Sequence, residues 1–303
     1  MCRLANLPIC QSAKSLVCQL LGLTLLLASG CALLPPLPTP TPTLTPTPTL
    51  PPTHTPTPLP PTPWPTSTPE PPDTGWQPLR SGTELRQVRV ETGDVAERLV
   101  IVRLDPATVR FRVHYDPIAP HPVGTWSRYL ESLLVVNGGY FTPEGKPLGL
   151  LISDGRTWGT SYGDFAGMFA VTADGRVSVR WLRDRPYDPG EPMKQVLQSF
   201  PVLVKPGGVM GFPADADDGR PARRTVVAQD NQGRILFIVA PRGYLSLHEL
   251  ARFLAESDLD LDVALNLDGG SSTGIWLKTD GQSVGSMGID SLAPVPSVIS
   301  VDY

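Results

Sequence analysis

A run of eighteen prolines between Pro35 and Pro72 divides this 303-residue chain before any other feature is weighed. Proline fixes φ and carries no amide donor, so a segment built of little but proline and threonine forms neither helix nor sheet. The expectation is a disordered linker over residues 32–73 that samples extended polyproline II. At about 3.1 Å per residue its reach is at most roughly 120 Å. Its threonines suit O-linked sugars. In front of the tract lies a leader, residues 1–31. Behind it lies a body, residues 74–303, long enough to bury a substantial core.

All four cysteines (Cys2, Cys10, Cys18 and Cys31) fall in the leader. The body is therefore expected to hold no disulfide, no thiolate metal site and no thiol nucleophile. The formal net charge of −4, from 25 Lys and Arg against 29 Asp and Glu, argues against nucleic acid as a partner. The leader has basic residues Arg3 and Lys14 and an apolar run from Leu16 to Leu27, short of the roughly 20 residues a membrane span needs. It ends in Leu27-Ala28-Ser29-Gly30-Cys31, which resembles a bacterial lipobox with Cys31 as the lipidated residue. That pattern predicts an exported chain tethered to the membrane through a lipid, at the cell surface or the periplasmic face. An ordinary secretory signal with a chance cysteine is the competing reading.

Strand patterns dominate the body. Alternation or continuous apolarity predicts strands over Gln87–Glu91, Arg98–Leu104, Val109–Tyr115, Leu133–Val136, Leu148–Ile152, Met168–Thr172 and Val177–Leu182. The same signals recur over Val202–Val204, Thr225–Gln229, Ile235–Ala240, Asp262–Asn266, Ile275–Leu277 and Val298–Val301. Ala173-Asp174-Gly175-Arg176 reads as a hairpin turn. Residues 125–132 are compatible with a short helix. One helix is clear: Ser246-Leu247-His248-Glu249 fits a capping box, and Leu247, Leu250, Ala251 and Leu254 form its apolar stripe. The expected fold class is α+β, a strand-rich mixed sheet with one long amphipathic helix packed on it.

Two glycine-rich segments follow apolar strands: Asn137-Gly138-Gly139-Tyr140-Phe141, and Asn266-Leu267-Asp268-Gly269-Gly270-Ser271-Ser272-Thr273. Paired glycines let backbone amides approach a ligand with no Cβ in the way, and a neighbouring Asn or Asp adds fixed polar atoms. Tight turns explain the same residues. Arg223-Arg224-Thr225 opens another strand, where an arginine can clamp a phosphate or carboxylate. For Arg223 a solvated turn is the simpler reading. Ala214 to Gly219 looks faintly like a calcium loop but lacks its terminal glutamate. The body has no H-E-x-x-H pair, no nucleophile elbow, no Walker lysine and no dinucleotide fingerprint.

Taken in order, these segments resemble the phosphodiester glycosidase family. The matching residues are Asn137-Gly138-Gly139-Tyr140-Phe141, Gly149 with Asp154-Gly155, and Ser199-Phe200-Pro201-Val202-Leu203-Val204. Arg224-Thr225, Leu247-His248-Glu249-Leu250-Ala251 and Leu265 to Ser272 complete the set, so that the resemblance spans residues 83–303. Tyr140 stands where members often carry a second phenylalanine. The resemblance implies hydrolysis of a sugar-1-phosphodiester with release of free sugar; a characterised activity in the family removes N-acetylglucosamine linked through phosphate to mannose. The implied partner is a phosphorylated glycan.

The leaving phosphate has a second pKa of about 6, so it departs as an anion without strong acid help. One carboxylate and one cation then suffice where an ordinary glycosidase uses two carboxylates. On this reading Asp268 is the base or nucleophile, Arg224 the phosphate clamp, and Asn137 the third catalytic residue. The amides of Gly138, Gly139, Gly269 and Gly270 cradle oxygens, and Asn266, Ser271, Ser272 and Thr225 orient the substrate. Glu249 is a second carboxylate only if the capping box does not claim it. No cofactor is certain; a calcium or magnesium ion held by Asp268 and Asn137 is the alternative use of the same oxygens. Two other functions remain open. One is a surface module that binds phosphorylated or acidic polysaccharide without turnover. The other is a structural lipoprotein, in which Asn137, Arg224 and Asp268 would lie apart.

Overall fold

A computed structural model of the chain describes residues 71–279 and 286–303. The leader, Cys31 and the linker up to residue 70 lie outside the described residues. Among the described residues, eighteen strands form three sheets. The first has eight strands in the order Gln77–Arg80, Thr83–Thr92, Val95–Leu104, Ile235–Ala240, Arg224–Asp230, Leu261–Asn266, Val202–Lys205 and Val209–Met210. The second runs Arg156–Trp158, Leu151–Ser153, Met193–Ser199, Gly167–Thr172 and Val177–Trp181. The third runs Met287–Ile289, Ile275–Leu277, Leu134–Asn137, Ser297–Asp302 and Arg110–Tyr115.

The α+β class holds, but three sheets replace the single mixed sheet. All strand pairing among the described residues is antiparallel. The three sheets turn one face each toward a shared core. Phe111 of the third sheet lies 5.8 Å from Phe169 of the second and 6.4 Å from Phe237 of the first. Val102, Val227, Leu265, Leu134, Ile299 and Leu197 fill the space around them. Ring edges meeting ring faces in this way add to the burial of large apolar area.

The first sheet is buried on both sides, which is why Ile235–Ala240 is apolar at every position rather than alternating. Its outer face packs against the Leu247–Glu256 helix through Leu250, Ala251 and Leu254. Both halves of the capping box form: the Ser246 hydroxyl accepts from the Glu249 amide at 3.2 Å, and the Glu249 carboxylate accepts from the Ser246 amide at 2.8 Å. Thr92 also donates to this carboxylate, so Glu249 is occupied as a helix cap. A second helix, Val123–Leu130, covers the third sheet with Val123 and Trp126 against Val135 and Val298.

Met193–Ser199 is a central strand that the apolar pattern does not reveal. Its buried glutamines replace apolar contacts with hydrogen bonds: Gln195 Oε1 accepts from the amides of Val113 and Asp154, and Gln198 Oε1 from Tyr162. The last residues of the expected linker also belong to the body. Asp73 forms a bridge with Val88 and an ion pair with Arg86, and Pro72 accepts from the Arg89 amide at 2.7 Å.

Candidate active site

The Leu134–Asn137 strand of the third sheet ends beside two strands of the first, and Asn137 ties them together. It is fully buried. Its Nδ2 donates to the carbonyls of Asp268 at 2.8 Å and Gly138 at 3.2 Å. Its Oδ1 accepts from Thr225 Oγ1 at 2.8 Å and from the Gly274 amide at 3.0 Å. An asparagine side chain has two donors and two lone pairs, and all four are used here. Asn137 therefore positions the loop that carries Asp268 rather than contacting substrate. Thr225, also fully buried, is likewise committed to Asn137. The hydrogen bonds of both side chains thus run to the protein itself, whereas the sequence reading gave them to substrate. Asn137 Oδ1, which already accepts two hydrogen bonds, has no lone pair left to share with Asp268 in holding a cation. Among the described residues no three His, Cys, Asp or Glu side chains gather as a metal site.

The loop after Leu261–Asn266 is stitched down by its backbone. The Asp268 amide donates to Gly138 at 3.1 Å, Leu267 to Thr225 at 2.8 Å, and Gly270 to Arg223 at 2.8 Å. Asn137, Asp268 and the start of the Arg224–Asp230 strand thus converge. Asp268 is half-buried, and burial lifts its carboxyl above the ordinary carboxylate range; the Ser272 hydroxyl and the Gly269 amide, at 2.9 Å from Oδ1, hold it partly down. Arg224 is half-buried beside it, with its Cδ 3.9 Å from where a Cβ on Gly269 would lie. Its Nη2 donates to the Arg220 carbonyl at 2.9 Å, while its buried Nε has no partner among the described residues. A donor of this kind suits an incoming anion.

The glycines serve the chain rather than a ligand. A Cβ on Gly138 would lie 2.3 Å from Ser297 Oγ, one on Gly139 3.0 Å from the Gln198 carbonyl, and one on Gly269 2.8 Å from the Arg223 carbonyl. The amides of Gly138, Gly269 and Gly270 already donate to Ser297, Asp268 and Arg223. Close packing of backbone at Gly138, Gly139 and Gly269 accounts for three of the four glycines. Gly270 alone of the four has a left-handed φ, +60°, and faces open space. Ser272 is buried against Asp268, and Ser271 is exposed.

Sequence reasoning passed over Tyr140. Its hydroxyl accepts from Asn266 Nδ2 at 2.7 Å, and burial together with the Asp268 charge pushes its pKa up to about 12, with Arg224 pulling the other way. It is therefore a neutral phenol adjoining both Asp268 and Arg224. Asn266 is fully buried and also donates to the Leu267 carbonyl at 2.7 Å, leaving its own Oδ1 without a partner. Tyr140 stacks on Phe200 at 4.7 Å, and Phe200 meets Tyr162 at 5.3 Å and Phe165 at 5.8 Å. Gly149 makes room for this cluster, because a Cβ there would strike the Tyr162 ring at 2.5 Å. The substitution of tyrosine for phenylalanine at position 140 was the sequence signal for it.

A family model for phosphodiester glycosidase matches residues 131–301, more than half of the chain and the whole of this site. The chain belongs to the phosphodiester glycosidase family. It is 31% identical over 157 residues to mouse N-acetylglucosamine-1-phosphodiester alpha-N-acetylglucosaminidase, a match covering 45% of this chain and 30% of the mouse protein. Among solved structures, the zebrafish catalytic domain of the same name, auto-inhibited by its pro-peptide, superposes with a TM-score of 0.57 at 21% identity, over 73% of this chain and 83% of that one. A hypothetical protein from Synechocystis superposes with a TM-score of 0.50 at 17% identity, over 73% of this chain and 62% of that one. These structures share the fold.

Proposed function

We propose that this phosphodiester glycosidase family member is a hydrolase that cleaves a sugar-1-phosphodiester and releases free sugar from a phosphorylated glycan. The observation that carries the reading is that Tyr140 interacts electrostatically with both Asp268 and Arg224, where strand ends from separate sheets converge. Arg224, half-buried and with a buried Nε that has no partner among the described residues, holds the phosphate. The bond from the anomeric carbon to the phosphate oxygen breaks, and its electron pair leaves with the phosphate monoester. A water oxygen bonds to the anomeric carbon and gives its proton to Asp268, whose carboxylate burial makes more basic than that of a free aspartate. Tyr140 stays protonated and donates a hydrogen bond to the departing phosphate or to a sugar hydroxyl. Asn137 holds this arrangement through the Asp268 carbonyl.

The lipobox-like leader and the proline tract support an exported enzyme anchored through Cys31.

Asp268→Asn should retain its fold and lose about two to four orders of magnitude in kcat on a sugar-1-phosphodiester, the range that a positioned base contributes. Mass spectrometry of the products identifies both the bond cut and the sugar released. Full activity in Asp268→Asn would remove the carboxylate from the mechanism. Tight binding without turnover by the wild type would favour the non-catalytic polysaccharide module.

A further inference from the structure

A groove beside the site holds a combination of groups that the cleavage reaction does not use. Its volume is about 180 Å³, and Phe165, Trp181, Arg183, Pro201 and Lys205 line it. The aromatic surface is continuous with the active site: Tyr140 stacks on Phe200, Phe200 on Phe165, and Phe165 with Pro201 forms the groove wall. Phe165 is 55% exposed, which is unusual for a ring of that size inside a cluster of three others. On the far side, Lys205 Nζ lies 5.3 Å from the centre of the Trp181 ring and the Arg183 guanidinium 5.4 Å from it. Arg183 shares its charge with Asp164 at 3.0 Å. Lys205 has no carboxylate partner among the described residues.

We infer that this groove is a second glycan subsite, specific for an acidic saccharide unit further along the chain whose phosphodiester is cut at Asp268; the inference rests on the reading of that site as glycan-cleaving. Flat aromatic faces present the weakly polar surface on which a sugar ring stacks, while Lys205 supplies the charge for its phosphate or carboxylate. The small volume suits one sugar ring and excludes a helix or a strand. The subsite makes the enzyme selective for extended, anionic glycans over short neutral ones.

The test is a titration of the full Asp268→Asn chain, which removes turnover, with a phosphorylated dextran oligosaccharide and an uncharged dextran of equal length. The phosphorylated ligand should bind at least tenfold more tightly. Adding Lys205→Gln should erase most of that preference, a fivefold loss or more, whereas Lys205→Arg should keep it. Phe165→Ala should weaken both ligands by about fivefold, with an unchanged circular dichroism spectrum. A full preference in Lys205→Gln, or unchanged binding in Phe165→Ala, would overturn the subsite. Turnover of a short sugar-1-phosphodiester by the wild type is measured separately. Its absence would sink the hydrolase reading alone, because the binding comparison decides the groove without it.

Discussion

Asp268 is the residue at which activity and stability pull apart. Its carboxyl has a raised pKa in the folded chain, so the folded state binds a proton more tightly than the unfolded one. At pH below the unfolded value of about 3.8 both states are protonated and no cost arises; as pH rises through the folded pKa the ionised form is disfavoured by burial and stability falls. Asp268→Asn should therefore raise the melting temperature at pH 7 and lose that advantage near pH 3, as thermal unfolding at the two pH values would show. An equal gain at both would mean that burial of charge is not the cause. At this scale the sequence was legible in part. Asp268 stands out because a carboxylate beside paired glycines at a strand end has few structural uses, and Arg224 because it opens a buried strand. The roles of Asn137 and Thr225 were not legible, since a saturated buried amide and a ligand-binding one have the same letters and differ only in who supplies the four partners.

At the scale of the element, the glycines separate into two kinds. Gly138 permits the Leu134–Asn137 strand to lie against Ser297 at the start of the Ser297–Asp302 strand, whereas Gly270 supplies a left-handed turn into open space. Gly138→Ala should cost about 1–3 kcal/mol through overpacking and should also reduce activity, because the strand must move. Gly270→Ala should cost about 1–2 kcal/mol from backbone strain alone. Urea denaturation gives the first number, and kcat distinguishes the two cases. Equal loss of activity in both would mean that the loop, not the strand contact, controls Asp268. The thirteen strands anticipated from alternation all correspond to observed strands, with ends shifted by a few residues. Met193–Ser199 escaped because its burial is met by glutamine hydrogen bonds. Gln77–Arg80 and Val209–Met210 escaped because edge strands are short and leave one face in solvent.

At the scale of the whole molecule, the body begins earlier than its composition indicates. Asp73 holds Arg86 through Nε at 3.0 Å, and Arg86, only 8% exposed, also reaches Asp258 at 3.1 Å. The Arg86 hydrogen bond keeps the Asp73 carboxyl below its ordinary value, so its contribution is present at neutral pH and is lost as pH falls through that lowered pKa. Because Asp73 is 40% exposed, Asp73→Asn should cost no more than about 1 kcal/mol at pH 7. The deficit should shrink as the pH falls below 3.8, as paired urea titrations would report. Composition alone sets the boundary after Asp73, because proline content cannot register an ion pair between Asp73 and a residue thirteen positions downstream.

The contacts of Asn137 also govern how the enzyme fails. Since one amide joins the first sheet to the third and fixes the loop of Asp268, the site has no private scaffold that can loosen while the rest persists. Catalysis and global structure then share one breaking point. In rising urea, loss of turnover should coincide with the fluorescence change of Trp126 and Trp276, which pack on the third sheet. A folded but inactive state at intermediate urea would show that the joint yields first. Otherwise the protein is either whole and working or unfolded, with no inactive folded form between the two.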